Sequence, residues 1–412
     1  MITHSSSGLR AEKQLILLSA GTAARRQAAS EQTEALGQLV HWPAITDLLR
    51  MRRLLPLLGP RLVELCGDQA GSEFAIAVES ALDTSRRRGV LWQMVAAHIK
   101  HALAEAEIRC VVLKGSVLSE ALYEDPGRRL SSDIDLLVAR DDLHNAVRAV
   151  CKQGYKAPTD YTRSDGLPSL HFTLSHEDNQ LPPVEVHWRI HWYEDRFAGE
   201  RLLPPCGECA DAWRPAPIDE LAASLLFYAR DGFMDLRLAT DLGACWDAVG
   251  VRIRPQAFGA LISAYPALEG VLLASAVVGA NVVGLPVNEL TGRKVELRYR
   301  GRVAVQLATP HSDLSTSQLY ANMGLIDGLL APPGGLGAFL RRRVIPPREV
   351  LNEQARKARK PKASSRAGHC VRVLVRYVLA ITGLIARRRR RHRYTVKSSP
   401  HDLVLRYRSN RA

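Results

Sequence analysis

The spacing of hydrophobic residues along the chain predicts a helical N-terminal part. A long helix is expected from near Ser85 to Ala106, because apolar residues recur there at intervals of three and four positions. These residues are Leu91, Trp92, Val95, Ile99 and Leu103. Residues 42–66 also show helical spacing, which Pro56 and Pro60 interrupt. Residues 1–35 are polar and rich in serine and alanine, and we expect them to be loosely ordered.

The pattern changes between about residues 108 and 190, where the apolar runs are short and polar or glycine-containing segments separate them. Four strands are predicted there, over residues 109–113, 133–138, 171–175 and 184–188. Asp141 or Asp142 is expected to cap a helix that ends at Cys151. Strands and helices therefore alternate in this part of the chain.

From Ile218 onward the spacing is helical again. Helices are predicted over residues 220–230, 235–249, 257–264 and 267–283. The most hydrophobic stretch, Val271–Leu285, is shorter than the roughly 20 residues that a membrane span needs, so we expect a buried helix. Residues 1–37 contain no apolar segment long enough for a secretory signal. These patterns predict a soluble, cytoplasmic protein without a transmembrane segment.

Composition is typical of a folded protein without a disulfide framework. With 412 residues, 46% of them hydrophobic, the chain can bury a substantial core in two or three substructures. Its seven cysteines are odd in number and scattered, which fits a reducing cytoplasm. Cys206 and Cys209 form a Cys-x-x-Cys pair, but a structural zinc ion would need two further ligands. Cys245 and the nearby histidines show no metal-site spacing.

Positive charge is concentrated at the C-terminal end. The chain has a formal net charge of +14, yet residues 338–412 hold 22 lysines and arginines against three acidic residues, so their balance is +19 and the rest carries −5. A block of arginines at residues 387–393 follows a short amphipathic or apolar segment, residues 371–386. This predicts an interfacial helix with a cationic arm that engages RNA, DNA or anionic lipid without sequence specificity. A solvated tail without a partner is the alternative.

Two segments carry the clearest chemical signal. Val111–Ser116 is an apolar run that ends in a Lys-Gly-Ser turn, and Ser132–Val138 places Asp133 and Asp135 at i and i+2 on a predicted strand. Alternate residues of a strand point to the same side, so both carboxylates face one point and repel each other unless a cation lies between them. Oxygen ligands at this spacing suit Mg²⁺ with a bound triphosphate. The segments therefore predict a nucleotide site.

A wider set of residues resembles a known family. The set is Leu113–Ser116, Leu122–Tyr123, Asp125–Gly127, Arg129, Asp133–Val138, Gly154–Tyr155 and Val184–Trp188. It resembles the uncharacterised nucleotidyltransferases, a branch of the DNA polymerase β-like nucleotidyltransferase superfamily. The superfamily pattern is a Gly-Ser turn, Asp-x-Asp on a strand and a third carboxylate on a later strand. The long separation from Gly115 to Asp133 matches the branch with an extra Leu-Tyr-x-Asp-Pro loop. The resemblance is strongest over residues 108–190 and is traceable from roughly 40 to 350.

The resemblance implies an α+β fold: a small mixed β-sheet nucleotidyltransferase core with helices, then a mainly helical domain and a basic tail. The corresponding segments are a loosely ordered N-terminus (1–35), an N-terminal helical segment (36–107), the catalytic core (108–215), the helical domain (216–335) and the basic extension (336–412).

The resemblance also implies a role for each motif residue. Gly115 would allow a tight turn, and Ser116 would open a helix and hold the β- and γ-phosphates. Asp133 and Asp135 would ligate Mg²⁺ or Mn²⁺, and Glu185 would complete a second metal site beside the attacking hydroxyl. Asp135 and Glu185 are alternatively candidates for the general base.

Lys114 and Arg129 each have two interpretations. Both are natural phosphate partners, lysine as a point charge and arginine as a bidentate fork. Alternatively, Lys114 points into water, and Arg129 pairs with Asp125 or Asp133 to fix the loop.

Three further residues form a second tier. His187 is predicted on the same strand face as Glu185, where it orients that carboxylate or binds metal, unless it simply packs beside Trp188. Arg237 and Asp241 match a family element that contacts the nucleotide base or ribose. An ordinary ion pair across one helical turn is the alternative, and the favoured one.

The expected activity is metal-dependent transfer of a nucleotidyl group from an NTP to an acceptor, with release of pyrophosphate. A small molecule, a peptide, a protein side chain and a nucleic acid are all open as acceptors. The alternatives are kinase-type phosphoryl transfer on the same fold, or a non-catalytic nucleotide-binding or regulatory protein whose basic arm binds nucleic acid or a partner.

Overall fold

The structure of the protein is a computed structural model. It describes residues 8–158, 170–178, 180–205, 213–308, 316–346, 351 and 365–394. The Cys206–Cys209 pair lies outside these residues. The fold is α+β, as the sequence predicts, with a five-stranded mixed sheet among many helices.

The sheet consists of short strands in the order β1-β2-β5-β4-β3. They are β1 (Cys110–Val112), β2 (Ile134–Val138), β3 (Tyr155–Lys156), β4 (His171–His176) and β5 (Val184–His187). β2 and β5 run parallel, and the other neighbouring strands are antiparallel. All four strands expected from the sequence are present. β3 is only two residues long and shows no alternation by which a sequence pattern would reveal it.

The described helices form three groups along the chain. The N-terminal group is α1 (Gly8–Ser19), α2 (Ala23–Ala28), α3 (Ser30–Gly37), α4 (Trp42–Met51), α5 (Leu55–Cys66) and α6 (Gly71–Glu105). The helices between strands are α7 (Ser116–Tyr123) and α8 (Leu143–Cys151). The C-terminal group is α9 (Pro217–Arg230), α10 (Leu236–Val249), α11 (Pro255–Ala264), α12 (Glu269–Val283), α13 (Val287–Thr291), α14 (Tyr299–Leu307), α15 (Thr316–Leu329), α16 (Leu336–Phe339) and α17 (Arg366–Tyr394).

The two faces of the sheet differ because alternate strand residues point to opposite sides. Leu136 and Val186 lie on an apolar face that packs against α6 and α8. Asp135 and Glu185 lie on the other face, where Leu137 joins the hydrophobic core of the C-terminal helices. The acidic residues are therefore placed between the sheet and the C-terminal helices.

α12 lies at the centre of the C-terminal helices. Val271, Leu272 and Val283 are fully buried in their shared core. Among the described residues, Pro266–Val283 is the stretch long and apolar enough by composition to cross a membrane, but 56% of it is buried inside the protein. This agrees with the buried helix expected from the sequence.

The N-terminal residues differ from the expected loose order. Residues 8–37 form α1, α2 and α3, and Leu15 is fully buried against the other N-terminal helices. Arg61 Nη1 donates to the carbonyl of Ser19 at 3.2 Å, and Thr22 N donates to the carbonyl of Val283 at 2.8 Å. Helices this short show too few turns for a clear periodicity, and contacts with α5 and α12 order them.

α6 begins at Gly71, well before the expected start near Ser85, and it holds the loop that leads to β2. The Ser85 hydroxyl donates to the carbonyl of Gly127 at 2.6 Å, and Arg86 Nη2 donates to Asp125 at 2.8 Å. Any side chain at position 89 would clash with the carbonyl of Pro126, which explains the glycine there. The helix and the loop therefore pack backbone to backbone.

Candidate active site

A glycine turn joins β1 to α7. Gly115 has φ +87°, a conformation that glycine adopts without steric cost. The amide of Leu113 donates to the carbonyl of Asp135 at 2.9 Å, which fixes the turn to β2. Ser116 is the first residue of α7 and is buried. The free amides at the start of this helix thus lie beside the acidic strand, where they can bind phosphate.

Asp135 is completely buried on β2. Its Oδ1 lies 3.0 Å from Lys114 Nζ and 2.9 Å from His187 Nε2. Burial alone would raise the pKa of Asp135, but the charge of Lys114 and the hydrogen bond with His187 hold it well below its usual value. Its Oδ2 is buried and lacks a hydrogen-bond partner among the residues that the structure describes. That oxygen is available to a cation.

Asp133 immediately precedes β2 and is half-buried. Ser131 Oγ donates to its Oδ1 at 3.1 Å, and Ser132 Oγ donates to its Oδ2 at 3.4 Å. Burial and the negative charges of Asp135 and Glu185 raise the pKa of Asp133. The three carboxylates are therefore close enough to repel one another, a repulsion that a bound cation would relieve.

The parallel pairing of β2 and β5 brings Glu185 directly beside Asp135. Glu185 Oε2 lies 3.4 Å from His187 Nε2, and its Oε1 lies 3.4 Å from His171 Nε2. Burial would raise the pKa of Glu185, but the hydrogen bond with His187 lowers it below its usual value. His187 is completely buried between the two acids, so it orients them.

His171 belongs to the same cluster, although the sequence patterns did not single it out. Antiparallel pairing of β4 and β5 sets it opposite His187, with ring centroids 4.6 Å apart. Burial and the neighbouring His187 lower the pKa of His171 to about 4, so its imidazole is neutral at pH 7. The strand was predicted, but its register against β5 is a tertiary feature that no local pattern encodes.

These side chains fit a divalent cation. His171, Glu185 and His187 each offer a ligand atom within 4.8 Å of the others. The unpartnered Oδ2 of Asp135 adds a hard oxygen ligand of the kind that Mg²⁺ and Mn²⁺ prefer. Imidazole nitrogen favours a transition metal such as Mn²⁺ over Mg²⁺.

We expect His171→Gln to weaken Mn²⁺ binding about tenfold or more, because one ligand of the cluster is lost, and to weaken Mg²⁺ binding less. Titration calorimetry with each metal alone measures both affinities. His101→Gln is the matched control, since the His101 side chain is 74% exposed on α6. Equal Mn²⁺ affinity in the two variants would exclude His171 from the ligands.

Lys114 points into the site and not into water. Its side chain is 16% exposed, and Nζ lies 5.4 Å from the ring centroid of Phe227 on α9 as well as beside Asp135. The lysine therefore supplies a positive charge where the carboxylates converge.

Arg129 is buried and bound to Asp241 of α10. Its Nε lies 2.5 Å from Asp241 Oδ2, and the hydroxyl of Tyr123 donates to Asp241 Oδ1 at 2.9 Å. Arg129 thus ties the loop before β2 to α10. It forms neither of the ion pairs considered from the sequence, with Asp125 or with Asp133.

The prediction of an ion pair between Arg237 and Asp241 is wrong. Arg237 instead binds Asp235, with Nη2 2.8 Å from Oδ2, and its amide donates to the same carboxylate. Asp235 precedes the first residue of α10, so its side chain caps the helix. Asp241 is consequently free to meet Arg129 on the buried side of α10.

Arg230, at the end of α9, is a second residue that the sequence patterns did not single out. Its guanidinium lies 4.9 Å from the ring centroid of Phe227, and its charge helps to depress the pKa of His171. Its Nη1 is buried and has no hydrogen-bond partner within the described part of the chain. A buried N–H group beside the cluster is available to an anionic ligand.

Comparison with known protein families identifies a matching family model. Residues 38–277, more than half of the chain, match the family model described as an uncharacterised nucleotidyltransferase. Every site residue discussed above lies within this range. No curated protein and no solved structure matches the chain.

Proposed function

The chain belongs to the uncharacterised nucleotidyltransferase family, and from this premise we propose that it transfers a nucleotidyl group from an NTP to a hydroxyl-bearing or phosphorylated acceptor, releasing pyrophosphate. The observation that carries the proposal is the parallel register that sets Asp135 beside Glu185. It supports a site in which a bound cation would stabilise three carboxylates that repel one another.

Asp133, Asp135 and Glu185 would hold Mg²⁺ or Mn²⁺, with His171 and His187 completing or orienting the ligands. When bound, a divalent cation neutralises the charge that develops on the leaving pyrophosphate and positions the triphosphate for in-line attack. Asp135 and Glu185 are candidates to accept the proton of the acceptor hydroxyl.

The phosphates would lie between the start of α7 and α9. The turn amides after Gly115, the ammonium of Lys114 and the guanidinium of Arg230 all border this region. A triphosphate would compete with Asp135 for Lys114, which lies 3.0 Å away in the structure. We assign Arg129 a different role from the phosphate contact expected from the sequence, because its charge is already buried against Asp241.

Replacing Arg230 by Met should raise the KM for the NTP about 10–100-fold, the contribution of about one charge-assisted hydrogen bond, with a smaller change in kcat. Steady-state pyrophosphate release against NTP concentration measures both constants. Arg254→Met is the control, because Arg254 is exposed just before α11. An unchanged KM in Arg230→Met would show that Arg230 does not bind the phosphates.

The proposed reaction is tested with NTPs labelled separately at the α- and γ-phosphates. The protein is incubated with Mg²⁺ or Mn²⁺ and cell extract as the acceptor source, and products are separated by mass. We expect the α-label on an acceptor whose mass has grown by a nucleotidyl group, together with free pyrophosphate. Transfer of the γ-label would indicate kinase chemistry, and tight NTP binding without turnover would indicate a regulatory protein.

A further inference from the structure

α17 exposes a stripe of large aliphatic side chains. Six of them are 44–59% exposed: Val371, Leu374, Val375, Val378, Leu379 and Ile381. Their spacing of three and four positions places them along one side of the helix. Single exposed aliphatic residues are ordinary on proteins, but six within 11 consecutive positions form a continuous apolar patch. We call this patch the aliphatic stripe.

The other side of α17 is bound to the protein. Val373 is buried with Phe339 and Val344, and Tyr377 packs against the same cluster. His369 Nε2 also lies 3.3 Å from the carbonyl of Arg343. The aliphatic stripe is therefore not the face with which the helix docks on its own domain. It points outward from a helix whose opposite side is anchored.

Positive charge accompanies the stripe. Arg372 and Arg376 are exposed between its residues, and five consecutive arginines, residues 387–391, follow in the same helix. Residues 338–412 as a whole carry a balance of +19. An amphipathic helix with aliphatic residues on one side and arginines around them is typical of a segment that lies in the interface of an anionic bilayer.

Two other partners, nucleic acid and a second copy of the chain, fit the aliphatic stripe and its arginines less well. Nucleic acid would pair its phosphates with the arginines but would give the aliphatic side chains no apolar surface, since bases are recognised by stacking on aromatic groups and by hydrogen bonds. A second copy of the chain would bury the stripe but would bring two arrays of arginines together. A bilayer with anionic headgroups satisfies both features at once.

We propose that α17 binds the surface of an anionic membrane, with the aliphatic stripe in the headgroup and acyl boundary and the arginines on lipid phosphates. The helix lies in the plane of the membrane and does not cross it, because Val373 and Tyr377 fix its other side to the protein. The cytoplasmic leaflet, which carries anionic lipid, is the surface that this charge selects. The location of the acceptor at that surface follows from this binding and rests on the proposed function.

Vesicle flotation of the full chain tests this binding. The test variant is Val375→Asp/Val378→Asp, which puts two charges in the stripe at positions 51% and 59% exposed. The control is Ile76→Asp/Val251→Asp, which also replaces two aliphatic residues by aspartate, at positions 68% and 93% exposed elsewhere. Vesicles contain either phosphatidylcholine alone or phosphatidylcholine with phosphatidylglycerol. Circular dichroism and NTP binding verify that both variants are folded.

We expect wild type and control to float with the phosphatidylglycerol vesicles, and the stripe variant to bind at least about tenfold more weakly. Binding should also weaken in 1 M NaCl, where screening shortens to about 3 Å. Equal flotation of stripe variant and control would overturn the proposal. Wild type that does not float with the phosphatidylglycerol vesicles would overturn it as well. In that case RNA binding unaffected by the stripe variant would indicate nucleic acid as the partner, and a dimer, seen by sedimentation, that the variant abolishes would indicate a second copy of the chain.

Discussion

Replacing Asp135 by Asn should reduce nucleotidyl transfer roughly 10³-fold or more, because electrostatic stabilisation of the transferred group is the main catalytic contribution of such a site. Asn keeps the shape of the side chain but removes the charge that faces Lys114 and His187. Because the Lys114 ammonium only donates, the amide oxygen should take the position of Oδ1, which leaves the amide nitrogen, a group that cannot ligate a cation, in place of Oδ2. Both losses act on the same reaction step.

The measurement is pyrophosphate release at saturating NTP, combined with calorimetric Mn²⁺ binding by the same protein. Asp141→Asn is the matched control, because Asp141 follows the same strand but is exposed. The Asp135→Asn substitution also leaves Lys114 without its charged partner, so a thermal melt must show that the variant is folded. If folded Asp135→Asn protein keeps more than a tenth of wild-type activity, the cluster is not the catalytic centre.

Replacing Asp241 by Asn should lower the free energy of unfolding by about 3–5 kcal/mol, the usual cost of removing one partner of a buried ion pair. Arg129 and Asp241 are 6% and 2% exposed. Asn can still accept the hydrogen bond from Tyr123, so the variant removes mainly the charge that compensates Arg129. The buried guanidinium would then lose its hydrogen-bonded counter-charge.

Urea unfolding followed by circular dichroism measures this loss. Asp83→Asn is the control, because Asp83 forms an exposed pair with Arg86 at 3.6 Å and such pairs contribute about 0–1 kcal/mol. The double variant Arg129→Met/Asp241→Leu removes both charges and should recover part of the stability. A loss below about 1 kcal/mol in Asp241→Asn would indicate that water reaches Arg129 and that the pair is not structural.

The substitutions Asp135→Asn and Asp241→Asn distinguish the catalytic role of this region from its structural role. Asp135 touches the reacting groups in the proposed reaction, whereas Arg129 and Asp241 hold the loop before β2 against α10. Asp241→Asn should therefore lower stability more than catalysis at low temperature, and Asp135→Asn should do the reverse. Of the two roles considered for Arg129, phosphate binding and fixing the loop, its bond to a buried carboxylate favours the second.

The motif segments were readable from the sequence because their chemistry is local. A glycine at positive φ before a helix, and two acids at i and i+2 where a strand begins, are fixed by neighbouring residues and backbone geometry. The short apolar runs at β2 and β5 likewise identified the strands that carry Asp135 and Glu185. The short N-terminal helices were not predicted, because their order depends on contacts with distant helices and not on a local pattern.

The sequence by itself determined the α+β class, the acidic strand, the turn before α7 and the excess of arginine at the C-terminal end. Tertiary structure alone decided which side chains meet. The β4–β5 register placed His171 beside Glu185. Packing of the chain formed the ion pairs of Lys114 with Asp135 and of Arg129 with Asp241. It also left the aliphatic stripe of α17 exposed. Local pattern specifies how a segment folds and which face it presents, but partners far apart in the chain are chosen by the packing that buries the most apolar surface while pairing every buried charge.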